Sequence, residues 1–421
     1  MRILVLCPHY APDTAPTGTV MTGIVEGLGA LGHRLHVVTS LPWYEHHQVE
    51  PDWKGTVVHH APTGWGTVSR VHPFPGNKTN LLSRAVGFAG FSGLSGLTAM
   101  LTASRPDVVL AMSPPITLGV AGVVVGRLRR IPVVFNVQDI FPDVAVEVGM
   151  LTDPRMIAGA RALERSIYAA SDAVTVLSED LRSNVAAKIA PETVDKVRVI
   201  PNFVDTACIV PADPQNAYRV EHDLVGRHVV LYAGNVGHSQ SLDLVIHAAR
   251  TFADDPSVVF VVNGQGSARS ALEDAATGLD NVIFVDYQPA ERLGEVLAAG
   301  DVHVVPLRRG LASASVPSKI YSILAAGRPF VASVDPGTEI DRIAQQSGAG
   351  IAVPPDDADA FTGALRRLLD DREAAAQMGR AGRDWVQGWA SPAAVAEMYA
   401  DLFSELVTRD GSVAGSGLPT W

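Results

Sequence analysis

A lysine stands at the most chemically suggestive point of this chain. Val305-Pro306-Leu307-Arg308-Arg309 closes an apolar run, and a loop of small residues leads to Val316-Pro317-Ser318-Lys319-Ile320-Tyr321. The spacing predicts a helix through Leu324-Ala325-Ala326, ended by Gly327-Arg328-Pro329. Lys319 then occupies a first helical turn, where the macrodipole slightly disfavours a cation. Such a lysine needs an anionic partner unless it is simply solvated, and a diphosphate would supply one. Asp335-Pro336-Gly337-Thr338-Glu339 follows the next strand.

Three other loops carry polar groups at strand ends. Tyr232-Ala233-Gly234-Asn235-Val236-Gly237-His238-Ser239-Gln240 offers two glycines, whose backbone N–H groups can approach a pyrophosphate, with Asn235 and Gln240 as side-chain donors. Pro8–Thr19, containing Gly18, opens into a helix whose free N-terminal N–H groups suit phosphate. A plain strand–helix connection would look much the same. Asn136-Val137-Gln138-Asp139-Ile140-Phe141-Pro142-Asp143 places an amide and a carboxylate where sugar hydroxyls could be met, with Glu147 nearby. The other reading of Asp139 or Asp143 is a helix N-cap.

Several constellations are discounted. Neither half has G-x-G-x-x-G with a ribose-binding acid about 20 residues on, which argues against a nicotinamide oxidoreductase. Asp357-Ala358-Asp359 has the form of a metal motif, but its place after Val353-Pro354-Pro355 and before a helical pattern reads as acidic capping. His9, His46, His47, His59 and His60 show no metal spacing on a convincing helix. His46, His47, Trp43 and Tyr44 read as solvated loop residues, an acceptor mouth being the alternative.

These loops are positioned by two α/β arrays, which suit the 421-residue length. The first array has strands at Ile3–Cys7, Leu35–Thr39, Asp107–Ala111, Val133–Val137, Ala173–Leu177 and Val197–Ile200, with a helix at Val20–Leu31. The second has strands at His228–Ala233, Val258–Asn263, Val282–Val285, Val302–Pro306 and Phe330–Ser333. The expected organisation is a domain over 1–204, a second over 205–390, a helix over 391–408 and a disordered tail over 409–421. Two parallel sheets facing a cleft follow from the alternation, with ligands at the carboxyl ends of the strands.

Two cysteines without partner patterns, and an N-terminal apolar run too short for a signal peptide, point to a reducing, cytoplasmic setting. The net charge of −11 is concentrated in the second half, the first being near neutral, and no stripe suggests nucleic acid. Leu81–Ala103, with Lys78 ahead of it and Arg84 near its start, is apolar but diluted by glycine, serine and threonine. A buried helix is the first reading, and shallow contact with a membrane through 78–103 is the second.

Taken together, G-N-x-G-x-x-Q at Gly234–Gln240, P-S-K at Pro317–Lys319, the His9-Tyr10-Ala11-Pro12 loop and the Gln138-Asp139 turn resemble glycosyltransferase family 4 of the GT-B fold. More narrowly they are similar to the branch of colanic-acid and O-antigen fucosyl- and N-acetylfucosaminyltransferases. The likeness spans residues 1–405. It implies two Rossmann-like domains and transfer of a sugar from a nucleotide diphosphate sugar, with retention of configuration and no obligatory metal or other cofactor. Lys319 would bind the donor diphosphate, with Gly18, Gly234, Asn235, Gly237, Gln240, Gly264, Arg308, Ser318 and Glu339 in the donor-binding set. Gln138 and Asp139 would meet the sugar, and the Asp286–Arg292 loop the base. The acceptor would be a glycan or polyprenyl-linked glycan, as in cell-surface polysaccharide synthesis, with the enzyme cytoplasmic or peripheral on the inner membrane face.

Departures from the family pattern are also visible. Ala314 and Ser322 stand where much of the family has two glutamates, which leaves the ribose contact unassigned. The alternatives are a same-fold nucleotide-sugar epimerase, or a non-catalytic nucleotide-binding partner of a transferase.

Overall fold

The computed structural model describes residues 1–45, 47–75, 81–147, 151–237, 239–310 and 319–415. The chain divides into two compact units, Met1–Asn202 joined by the segment from Val395, and Phe203–Ala394.

The first unit is built on an eight-stranded sheet. Its strands are β1 (Arg2–Leu6), β2 (Arg34–Ser40), β3 (Val58–Thr63), β4 (Gly66–Val71), β5 (Val108–Ser113), β6 (Val133–Val137), β7 (Ala173–Val176) and β8 (Val197–Val199). They lie in the order β3-β4-β2-β1-β5-β6-β7-β8. All neighbours are parallel except β3 and β4, which form an antiparallel hairpin. β5 and β6 are buried along their whole length. That is why they read as unbroken apolar runs: a parallel strand covered on both faces has no solvent side to mark. The helices Pro16–Ala30, Leu81–Thr102, Thr117–Arg129 and Pro154–Ala170 belong to this unit.

The C-terminal helix runs Pro392–Gly415, and from Val395 it belongs to the first unit. Tyr399 anchors it: its buried hydroxyl accepts a hydrogen bond from Asn136 Nδ2 at 2.7 Å, at the end of β6. An Arg198–Glu405 ion pair at 2.9 Å adds to this. The tail expected from residue 409 is helical as far as Gly415, Arg409 pairing with Glu405 one turn back at 2.6 Å. An i,i+4 pair of this kind supports the turn it spans.

The second unit holds β9 (His228–Ala233), β10 (Val258–Asn263), β11 (Val282–Val285), β12 (Val302–Pro306), β13 (Phe330–Ser333) and β14 (Gly350–Val353). The order is β11-β10-β9-β12-β13-β14, all parallel. Counted within the unit this is 3-2-1-4-5-6, the Rossmann order, whose direction reverses between β9 and β12. Ligands of such sheets sit outside the carboxyl ends of the strands at that reversal. The loops of Gly234 and Arg308 are there.

Candidate functional site

The loop after β9 is shaped by glycine. Gly234 has φ 142° and Gly264, at the end of β10, has φ 155°, a region that side chains rarely enter. A Cβ on Gly264 would fall 1.9 Å from the Gly234 carbonyl oxygen, so only glycine lets the two loops cross. Gly234 N donates to Asn263 O at 3.0 Å, and Val236 N to Gln265 O at 2.9 Å. Tyr232 braces the same loop, its hydroxyl donating to Asn235 O at 2.5 Å. A Cβ on Gly237 would meet Asn235 Nδ2 at 2.8 Å, so the Asn235 amide lies against the turn.

Lys319 opens the helix Lys319–Ala325 and reaches this loop. Its Nζ lies 3.3 Å from Gln240 Oε1 and 4.1 Å from the centroid of the Tyr232 ring. No carboxylate pairs with it among the described residues. Burial lowers its pKa from 10.5 to about 7. A desolvated ammonium facing only an amide oxygen and an aromatic ring is one whose charged form a nearby anion would favour.

Beside it lies a cavity of about 300 Å³. Gly234, Lys319 and Ser322 line it together with Tyr287, Gln288 and His303. Tyr287 is exposed, while His303 is fully buried and neutral, its pKa lowered to about 4 by desolvation. His303 Nε2 bonds Leu297 O at 2.9 Å, and Nδ1 has no partner among the described residues.

The arrangement thus joins Gly234, Asn235, Gly237, Gln240, Gly264 and Lys319, and it brings the Asp286–Arg292 loop to the same cavity through Tyr287, Gln288 and Ala290. Arg308 is adjacent through its backbone N, which bonds Ser239 O at 3.1 Å, and its guanidinium reaches the exposed Asp243 at 3.2 Å. Glu339 is buried and bonds Arg342 at 2.9 Å in the first turn of Glu339–Ser347. Ser318, Pro317, Ala314, His238, His46 and Lys78 lie outside the described residues.

The remaining expected residues are on the first unit. Gly18 is buried in the helix Pro16–Ala30, where an added Cβ would press on His9 at 3.0 Å. Gln138 is buried at the end of β6, its Nε2 donating to Asn136 Oδ1 at 2.9 Å. Asp139 is open to solvent, yet desolvation by its surroundings raises its carboxyl pKa. Asp143 is held below the ordinary range against its own burial by Lys188, 2.7 Å away, with help from Asn184 and Arg161. Asp357 is a helix N-cap, its side chain accepting from Ala360 N. Among the described residues no group of three His, Cys, Asp or Glu side chains is placed to hold a metal ion.

His9 and Asp13 form a contact that spacing alone did not single out: Nδ1 to Oδ2 is 2.6 Å, with the His9 ring packed against Trp43 and Tyr44. Tyr232 and His303 were likewise missed as site residues. Both read as strand core, and only the strand ends signalled chemistry.

Comparison with known proteins bears on both units. Residues 17–202 match the family model described as "Glycosyl transferase 4-like domain", and residues 227–371 that described as "Glycosyl transferases group 1". The chain is 29% identical, over 88% of its length and 92% of the relative's, to WcaI of Escherichia coli K12, assigned as a colanic acid biosynthesis glycosyl transferase. It is 30% identical to WbjE of Pseudomonas aeruginosa, assigned as a glycosyltransferase, over 71% of this chain and 74% of that one. Among solved structures it is similar in fold to Anabaena HepE in complex with UDP, with a TM-score of 0.65 at 15% identity, covering 96% of this chain and 100% of the other.

Proposed function

Because the chain belongs to the group 1 glycosyltransferases with a family 4-like N-terminal half, we propose that it moves a sugar, with retention of configuration, from a nucleotide diphosphate sugar to a glycan or lipid-linked glycan in cell-surface polysaccharide synthesis. The observation that carries the donor reading is the desolvated Lys319 ammonium set against the Gly234–Gln240 loop. An anion there restores the full charge of the lysine, and the bare Gly234, where a Cβ would stand 3.7 Å from Lys319 Nζ, leaves room for phosphate oxygens to come close.

In this reading Lys319 and the loop N–H groups stabilise the charge that grows on the departing diphosphate, a task that needs no metal. The cavity beside Lys319 takes the nucleoside, with Tyr287 offering a ring to the base and Ser322 a hydroxyl to the ribose. On the first unit Asp139 is the carboxylate open to a sugar hydroxyl. Gln138 acts through Asn136 to hold the strand end that presents it. Support for a polysaccharide acceptor comes from WcaI, and support for a nucleotide donor from the UDP complex of HepE. The unpaired Cys7 and Cys208 suit a reducing, cytoplasmic setting.

The test is transfer itself. The protein is incubated with labelled UDP-, GDP- and dTDP-sugars and a polyprenyl-linked glycan extract, and the anomeric configuration of the product is read by NMR. One donor should give a product with the configuration of the donor. Inversion would remove the retaining mechanism. An epimerised nucleotide sugar formed without acceptor would replace the transferase by an epimerase.

A further inference from the structure

The helices Leu81–Thr102 and Thr117–Arg129 lie side by side in the first unit and point the same way. Ser92 Oγ is 2.7 Å from Thr117 Oγ1, a Cβ on Gly96 would sit 3.5 Å from that of Ala121, and Arg129 Nη2 donates to Met100 O at 2.6 Å. Their inner faces are committed to the core under the sheet through Phe91, Ala99, Leu118, Val123 and Val125.

The outer faces are apolar too. Val86, Leu97 and Leu101 on the first helix, and Val120, Val124 and Leu128 on the second, are exposed, Leu101 to 77% and Leu128 to 66%. Ala89 and Gly93 fill the first stripe. A face turned to water normally carries charged side chains at these spacings. Among the described side chains of the pair, charge lies at the shared C-terminal end, where Arg105, Arg127 and Arg130 are exposed.

The surrounding sequence has a matching bias. From Trp53 to Gln138 there are eight Lys and Arg residues and one carboxylate, in a chain whose net charge is −11. That carboxylate, Asp107, is already held by Arg2 at 3.0 Å. An apolar partner protein would account for the stripe alone. A bilayer with anionic headgroups accounts for both, the stripe entering the acyl boundary while the arginines stay at headgroup depth.

We propose that the paired outer faces of Leu81–Thr102 and Thr117–Arg129 dock on the anionic surface of a lipid bilayer and lie in its interface. The first helix is long and apolar enough to cross a membrane over Ala85–Thr102. Its inner side is nevertheless built into the core of the unit, so it lies on the bilayer rather than through it. The docking surface stands independently of the donor reading.

The test is flotation of the full chain with phosphatidylglycerol–phosphatidylcholine vesicles and with pure phosphatidylcholine, at low salt and at about 0.5 M, where surface charge is screened. The protein should float with the anionic vesicles at low salt and much less under the other conditions. Arg127→Ala/Arg130→Ala should weaken partitioning roughly 30-fold. Leu97→Glu/Leu101→Glu/Leu128→Glu should abolish it while the circular dichroism stays native, since all three side chains face water. No flotation, or equal flotation of the triple variant, overturns the proposal. So does a concentration-dependent dimer in sedimentation velocity that the triple variant dissolves, which would make the occupant a second copy of the chain. A nucleoside diphosphate titration on the same samples separates the two readings: flotation without nucleotide binding removes the donor site and leaves the docking surface.

Discussion

The Lys319 ammonium stands 4.1 Å from the centroid of the Tyr232 ring, and the Tyr232 hydroxyl in turn donates to Asn235 O at 2.5 Å. One aromatic side chain therefore cradles the cation and braces the glycine loop beside it. The cation remains without a carboxylate among the described residues, and burial lowers its pKa to about 7.

An unpaired, desolvated charge contributes nothing to the stability of the empty protein. Lys319→Met, which keeps the stem, should leave the melting temperature of the apo protein unchanged or higher. Calorimetry checks this. A fall of several degrees would make the ammonium a structural group rather than a waiting one.

The same shift gives a pH dependence with a definite sign. Between pH 7 and the ordinary lysine value of 10.5 the unfolded chain holds a proton that the folded apo protein has released. At this group stability therefore rises with pH across that window. A bound diphosphate favours the charged form, so binding at pH 8 should take up about one proton and affinity should fall toward pH 9. Titration calorimetry in buffers of differing ionisation enthalpy measures the uptake. Lys319→Ala should show none, and an equal uptake in that variant would place the proton elsewhere.

The crossing of the Gly234 and Gly264 loops makes a strong steric prediction. Gly264→Ala would set a methyl 1.9 Å from the Gly234 carbonyl oxygen, at a φ of 155°. The backbone conformation alone costs about 1–3 kcal/mol, and the overlap adds to it. Thermal unfolding should drop by several degrees, with weaker nucleoside diphosphate binding. An unchanged melting temperature would mean the loops do not cross this way.

Much of this architecture was visible in the chain itself, for a physical reason. Val133–Val137 and the strands β9 to β13 are largely apolar runs, as parallel strands covered on both faces tend to be, and their observed bounds coincide with the expected ones. The hairpin β3–β4 was not visible. Val58–Thr63 is Val-His-His-Ala-Pro-Thr, an exposed edge strand whose composition is that of a loop. β14, four residues at the opposite edge of the second sheet, was missed because it is too short to show a period. In the site, Lys319 and the glycines announced themselves by type and position. Tyr232, whose ring meets Lys319, and His303, which lines the cavity, did not, because a strand residue of either kind looks like its neighbours in the core. The Glu339–Arg342 pair was equally hidden.

The buried network at the end of β6 supplies a prediction confined to the first unit. Asn136→Ala would remove the partner of Gln138 Nε2 and the donor to the Tyr399 hydroxyl together. The Gln138 amide left unsatisfied costs about 1–3 kcal/mol, while the Tyr399 hydroxyl keeps Thr175 Oγ1 at 3.3 Å. Denaturant unfolding should show that loss, while nucleoside diphosphate affinity, a property of the second unit, stays as it was. Weakened nucleotide binding in a folded variant would tie the network to the donor site.

Everything proposed for the donor side turns on Lys319 and the Gly234–Gln240 loop binding the diphosphate of a nucleotide sugar. The most direct measurement is calorimetric titration of UDP, GDP, dTDP and CDP into the protein and into Lys319→Ala. One nucleoside diphosphate should bind the native chain, and the substitution should weaken it roughly 10- to 150-fold, the worth of a charge-assisted contact. A variant that binds as tightly as the native protein, or a native protein that binds none of the four, would contradict the account.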